Sequence, residues 1–99
     1  MGLPIAVDKK KIAAFCQAHH ITKLSLFGSV LTEHFRNDSD VDVLVEFDPE
    51  QIITLFDIYD MEEELSEIFS RKVDLRTPKE LSRHFRDKVV REALLQYAA

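Results

Sequence analysis

Asp40-Val41-Asp42 places two carboxylates at the mouth of the apolar run Val43-Leu44-Val45. Residues two apart on a strand share a face, so these carboxylates stand roughly 6–7 Å apart along it. Side chains of that length can converge on one cation. Carboxylate oxygens are hard ligands, and Mg2+ is commonly held by one or two of them together with phosphate oxygens. Taken alone, Asp-x-Asp also fits plain solvation at a strand end. A third carboxylate, Asp74, lies between Val73 and Leu75 in the strand-like segment 72–76. Aspartate is disfavoured inside a strand, and a charge there needs an ion-pair partner, an open face or a metal. Were the two strands neighbours, Asp40, Asp42 and Asp74 would ring one cation.

Gly28-Ser29 is the other candidate, separated from Asp40 by ten residues. Gly28 stops the run Leu24-Ser25-Leu26-Phe27 where a helix is expected to begin. Glycine there tolerates unusual backbone angles and lets a ligand approach the main chain. Unpaired N–H groups at the start of a helix favour a phosphate, and the Ser29 hydroxyl adds a donor. The plain alternative is Ser29 as an N-cap. A phosphate cradle facing a metal cradle suits attack on a nucleotide α-phosphorus, because two metal ions can serve the attacking and leaving oxygens of such a displacement.

The elements that position these residues follow one another with short connections. Asp8 is expected to cap a first helix over 9–19, with Ile12, Phe15, Cys16 and His19 inward. Residues 23–27 read as a strand, 29–35 as a short helix and 41–47 as the clearest strand, with Val41, Val43, Val45 and Phe47 on one face. Residues 52–69 read as the longest helix, with an acidic row of Asp57, Asp60, Glu64 and Glu67 opposite its apolar side. After the strand 72–76, Thr77-Pro78-Lys79-Glu80 reads as a helix start for a last helix reaching about Tyr97. The expected class is α/β, a small mixed sheet with helices packed against it in the order α-β-α-β-α-β-α, forming a single domain over 1–99.

Composition narrows the function. Thirteen Lys and Arg against eighteen Asp and Glu leave a net charge of −5. That argues against direct binding to nucleic acid, which favours a basic surface. The one cysteine, Cys16, has no partner within the chain and reads as a small buried hydrophobe. No run is long enough to span a membrane, and the start lacks the order of a signal peptide. The expected location is the cytoplasm.

Gly28-Ser29, ten intervening residues, then Asp40-Val41-Asp42 and Val43-Leu44-Val45 together resemble the signature of the DNA polymerase beta-type nucleotidyltransferase superfamily. The wording is most similar to its minimal nucleotidyltransferases, and Arg71-Lys72-Val73-Asp74-Leu75 fits the place of the third carboxylate. The resemblance spans about residues 8–97. It implies that Gly28 and Ser29 hold nucleotide phosphates and that Asp40, Asp42 and Asp74 bind two Mg2+ ions. It further implies that Asp74 helps deprotonate the acceptor and that ATP is the substrate. Arg36 matches a basic loop position that contacts phosphate, or is a solvated arginine. Val30 and Thr32 stand where many relatives carry arginine, and Asn37 where proline is common.

Minimal nucleotidyltransferases of this kind are often antitoxins, which implies a HEPN-domain ribonuclease toxin as partner and AMP transfer onto one of its tyrosines. A non-catalytic antitoxin that masks its partner, and nucleotidyl transfer to a small molecule, are the alternatives.

Overall fold

The computed structural model describes residues 3–99. The Asp8 carboxylate accepts the N–H groups of Lys10 and Lys11 at 3.1 and 3.2 Å and starts α1 (Lys9–Ala18), whose Ile12, Phe15 and Cys16 are buried. Strand β1 (Ile21–Phe27) begins two residues earlier than expected. Strand β2 (Val41–Phe47) coincides with the expected range. Helix α2 (Leu55–Phe69) starts later than residue 52, because Thr54 and Asp57 form a capping box that fixes its first turn. Strand β3 (Val73–Arg76) follows.

Two expectations fail for local reasons. The helix over 29–35 is only a 3-10 turn, Gly28–Leu31, closed by the Thr32 N–H and hydroxyl, which both donate to the Ser29 carbonyl at 2.9 Å. Such a turn is too short to carry a helix dipole. The single last helix is broken up as well. Thr77 and Glu80 form their capping box, but only the 3-10 turn Pro78–Glu80 follows, and Leu81 is extended at φ −76°, ψ 145°. The Ser82 hydroxyl then accepts the His84 N–H, and its carbonyl accepts those of Phe85 and Arg86. Helix α3 (Arg86–Glu92) is short, and the chain ends in a fourth strand, β4 (Leu94–Ala98). That strand covers the edge of β1, with Leu24 opposite Tyr97 and Leu26 opposite Leu94. Pairing an exposed edge outweighs the helical propensity of residues 94–98.

The sheet order is β3-β2-β1-β4, with β1 antiparallel to both neighbours and β2 parallel to β3, so the sheet is mixed. Leu24, Leu26, Val41, Val43, Val45, Val73 and Leu75 line its core face and pack with the buried residues of α1 and with Met61, Leu65 and Phe69 of α2. Alternation sends Phe27, Asp42 and Asp74 to the other face, which neither of these helices covers. No helix among the described residues is long and apolar enough to cross a membrane.

Candidate active site

The sheet register assembles the site. Asp42 pairs with Phe27 of β1 on one side and with Asp74 of β3 on the other. Asp40 immediately precedes β2. The parallel pairing of β2 and β3 therefore brings all three carboxylates to one end of the sheet, beside the turn at Gly28.

Gly28 is required there twice over. Its φ is +77°, a left-handed conformation that disfavours a side chain. A Cβ at this position would also overlap the Asp42 carboxylate oxygen Oδ2 and lie 3.2 Å from its Cγ. The glycine thus makes room for Asp42 and leaves the main chain of the turn exposed. Ser29 is not a cap: the 3-10 turn has Phe27 in the cap position and no side-chain cap bond.

The electrostatics of the three carboxylates differ. Burial pushes the Asp42 carboxyl above its usual range, and repulsion from Asp74 and then Asp40 adds to it, while Arg76 draws it back. Asp74 Oδ2 accepts from Arg76 Nη2 at 3.2 Å. Asp40 Oδ2 lies 3.9 Å from Lys72 Nζ, a looser and exposed pair. With those two side chains turned towards cations, no three His, Cys, Asp or Glu side chains among the described residues converge to hold a metal ion. The ring of three ligands implied by the family resemblance is therefore placed by the backbone but not closed by the rotamers. The donor set still fits a hard divalent cation. Asp42 lacks an ion-pair partner among the described residues and is repelled by its neighbours, a state that added positive charge relieves.

The loop into Asp40 is held by Arg71. Arg71 Nη1 donates to the carbonyls of Arg36, Asn37 and Ser39 at 3.0, 2.9 and 3.1 Å, and its guanidinium lies 4.7 Å above the Phe35 ring. The Arg36 N–H donates to Ser39 Oγ at 2.9 Å and closes the same turn. Arg36 itself is exposed, and its side chain lines no part of the cleft beside Gly28. No sequence spacing reveals the Arg71 clamp, because its acceptors are main-chain groups more than thirty residues away.

A cleft of ≈ 610 Å³ opens beside the turn, between Phe27, Gly28 and Leu31 on one wall and Phe85, Lys88 and Val89 on the other, with Thr32 and Glu92 at its lining. Its size and largely apolar wall suit a small ligand. Lys88 places a cation near the Gly28 turn, which Val30 and Thr32 leave uncharged. Phe85, at the start of α3, and Val89 within it reach the cleft only because the fold turns this helix towards Gly28. Away from the site, His19 Nε2 lies 3.0 Å from Glu64 Oε1 and its ring 4.6 Å from that of Phe15, so His19 packs between α1 and α2, whereas His20 is exposed. Cys16 is buried, and burial pushes its thiol up to about 12.

Comparison with known proteins agrees with this geometry. Residues 9–97 match the nucleotidyltransferase domain family. A provisionally named protein adenylyltransferase of Methanocaldococcus jannaschii is 30% identical over 86 residues, covering 87% of this chain and 90% of that protein. The protein adenylyltransferase MntA of Thermococcus cleftensis is 32% identical over 74 residues, covering 75% of this chain and 73% of that protein. The solved complex of a tri-AMPylated Shewanella oneidensis HEPN toxin with MNT antitoxin contains a chain of the same fold, with a TM-score of 0.65 at 18% identity, covering 92% of this chain and 70% of that one. The chain belongs to the nucleotidyltransferase domain family and is a nucleotidyltransferase.

Proposed function

We propose that residues 1–99 act as one catalytic domain that transfers AMP from ATP to a tyrosine of a HEPN ribonuclease toxin and so neutralises it in the cytoplasm. The observation that carries this reading is the position of Asp42, wedged between Asp74 and the side-chain-free Gly28. Two kinds of relative support the acceptor: adenylyltransferases that act on protein, and an antitoxin of the same fold in complex with an AMPylated HEPN toxin.

The chain's own groups divide the work. The exposed main chain at Gly28 and the Ser29 hydroxyl receive phosphate oxygens, and Lys88 adds charge where the turn has none. The cleft between Phe27 and Phe85 takes the base. Arg71 holds the approach to Asp40, so the carboxylates face the α-phosphorus. Two Mg2+ ions held by Asp40, Asp42 and Asp74 would neutralise the triphosphate and acidify the acceptor hydroxyl. The acceptor oxygen forms a bond to the α-phosphorus, the bond to pyrophosphate breaks, and Asp74, freed from Arg76, takes the hydroxyl proton. Arg36 is assigned a peripheral phosphate contact.

A second reading, masking without chemistry, draws on the unclosed carboxylate ring and on Val30 and Thr32. The double substitution Asp40→Asn with Asp42→Asn separates the two. Enzymatic neutralisation predicts that the variant still binds the toxin but no longer protects cells that express it. Full protection by the variant would establish masking.

A further inference from the structure

Helix α2 uses its six carboxylates unequally. Asp57 closes the capping box, Glu62 accepts the Leu75 N–H at 2.8 Å, and Glu64 faces His19. Asp60, Glu63 and Glu67 are exposed and form no ion pair among the described residues. With Phe56 they are spaced 4, 3 and 4, which makes one outward line along the helix.

The head of that line is apolar. Ile52, Leu55, Phe56 and Tyr59 are 89, 87, 84 and 62% exposed. Leu55 and Tyr59 are one turn apart, as are Phe56 and Tyr59, so the group is contiguous. Four large hydrophobic side chains left this bare within eight residues are the mark of a partner surface.

Charge limits what can cover it. A two-fold pairing of this helix with its own copy would lay Asp60, Glu63 and Glu67 beside the same residues, in a chain of net charge −5. An anionic membrane surface is repelled in the same way. A protein with an apolar recess rimmed by Lys and Arg satisfies both halves of the stripe.

The patch is also remote from the chemistry. Helix α2 joins two parallel strands, so it runs against them. Its C-terminal end leads through Arg71 and Lys72 to the carboxylate end of the sheet. Its N-terminal end therefore lies about 22 Å away, given 15 residues at 1.5 Å each. It also sits in the layer behind the core face, whereas Asp42 and Asp74 are on the opposite face of the sheet.

We propose that Ile52, Leu55, Phe56 and Tyr59, with Asp60 and Glu63, form a docking surface, separate from the active face, for a protein with a basic-rimmed apolar recess. Resting on the function proposed above, that protein is the toxin. The surface holds it while leaving the active site open to the acceptor hydroxyl.

The test measures AMP incorporation against concentration of the purified cognate HEPN toxin, together with direct binding, for the wild type and for Phe56→Ser with Tyr59→Ser. The exposed positions should leave the melting temperature unchanged. The expected result is a KM and a Kd raised at least tenfold, with kcat at saturating toxin unchanged. Asp60→Lys with Glu63→Lys should weaken binding and flatten its salt dependence. Wild-type affinity in the Phe56/Tyr59 variant would overturn the proposal. So would a wild type that does not bind the toxin, or one that forms a dimer this variant dissolves. A wild type that binds without transferring AMP, and a variant that binds weakly, would contradict the proposed activity while supporting the surface.

Discussion

Gly28 and Asp42 act as a pair. The glycine has φ +77°, and the space its missing Cβ leaves is filled by the Asp42 carboxylate. Gly28→Ala should therefore cost about 1–3 kcal/mol of stability through backbone strain and overlap. In an Asp42→Ala background the overlap term disappears and the cost should be smaller, by denaturant melts of all four species in a double-mutant cycle. The charge on Asp42 makes a second prediction. Its carboxyl is raised by burial and by Asp74 and Asp40, so the folded state binds this proton more tightly than the unfolded chain does. Stability then falls as the pH rises through the carboxylate range, and the cost stays in full above the folded value. Without metal, Asp42→Asn should be more stable than wild type near neutral pH, and the difference should vanish on acidification below the carboxylate range. With Mg2+ at a hundred times its dissociation constant, wild type should gain roughly 2.7 kcal/mol. The same gain in the variant would rule out a metal at Asp42. The presence of these residues was readable in sequence because Gly-Ser and Asp-x-Asp are local patterns. The steric reason that ties Gly28 to Asp42 was not, because it arises from strand register.

At the scale of elements, the strands 41–47 and 73–76 were legible because alternation and apolar content agree there. The C-terminal segment was not. Thr77-Pro78-Lys79-Glu80 is a sound helix signal, and its capping box forms, yet Ser82 captures the next N–H groups and the edge of β1 captures residues 94–98. Arg86 then ties the displaced turn down, donating to the carbonyls of Pro78, Lys79 and Leu81 at 2.7, 3.2 and 3.1 Å. Arg71 does the same for the loop that delivers Asp40. Lysine cannot reproduce the flat guanidinium over Phe35 together with the forked donors. Arg71→Lys should thus lower kcat by roughly 10- to 100-fold through misplacement of Asp40, with a smaller change in stability. Steady-state kinetics beside a thermal melt would check this. A kcat within twofold of wild type would mean that the 36–39 loop holds its own shape.

The whole molecule separates its tasks by layer. One face of the four-stranded sheet is buried under α1 and α2, and the other carries Asp42 and Asp74 beside a cleft formed partly by α3. This plan explains how 99 residues accommodate both a core and a site: the core needs one side of the sheet, and the chemistry takes the other. The mixed α/β architecture was accessible from the order of elements, whereas the fourth strand and the cleft depend on which edge and which face remain open once the first three strands have paired. In the proposed function an AMP unit passes from ATP to a toxin tyrosine. Intact mass spectrometry of the cognate HEPN toxin, after incubation with this protein, ATP and Mg2+, tests it most directly. The toxin mass should rise by one or more AMP units, and the increase should be lost with Asp42→Asn. An unchanged toxin mass in a complex that still forms would contradict it.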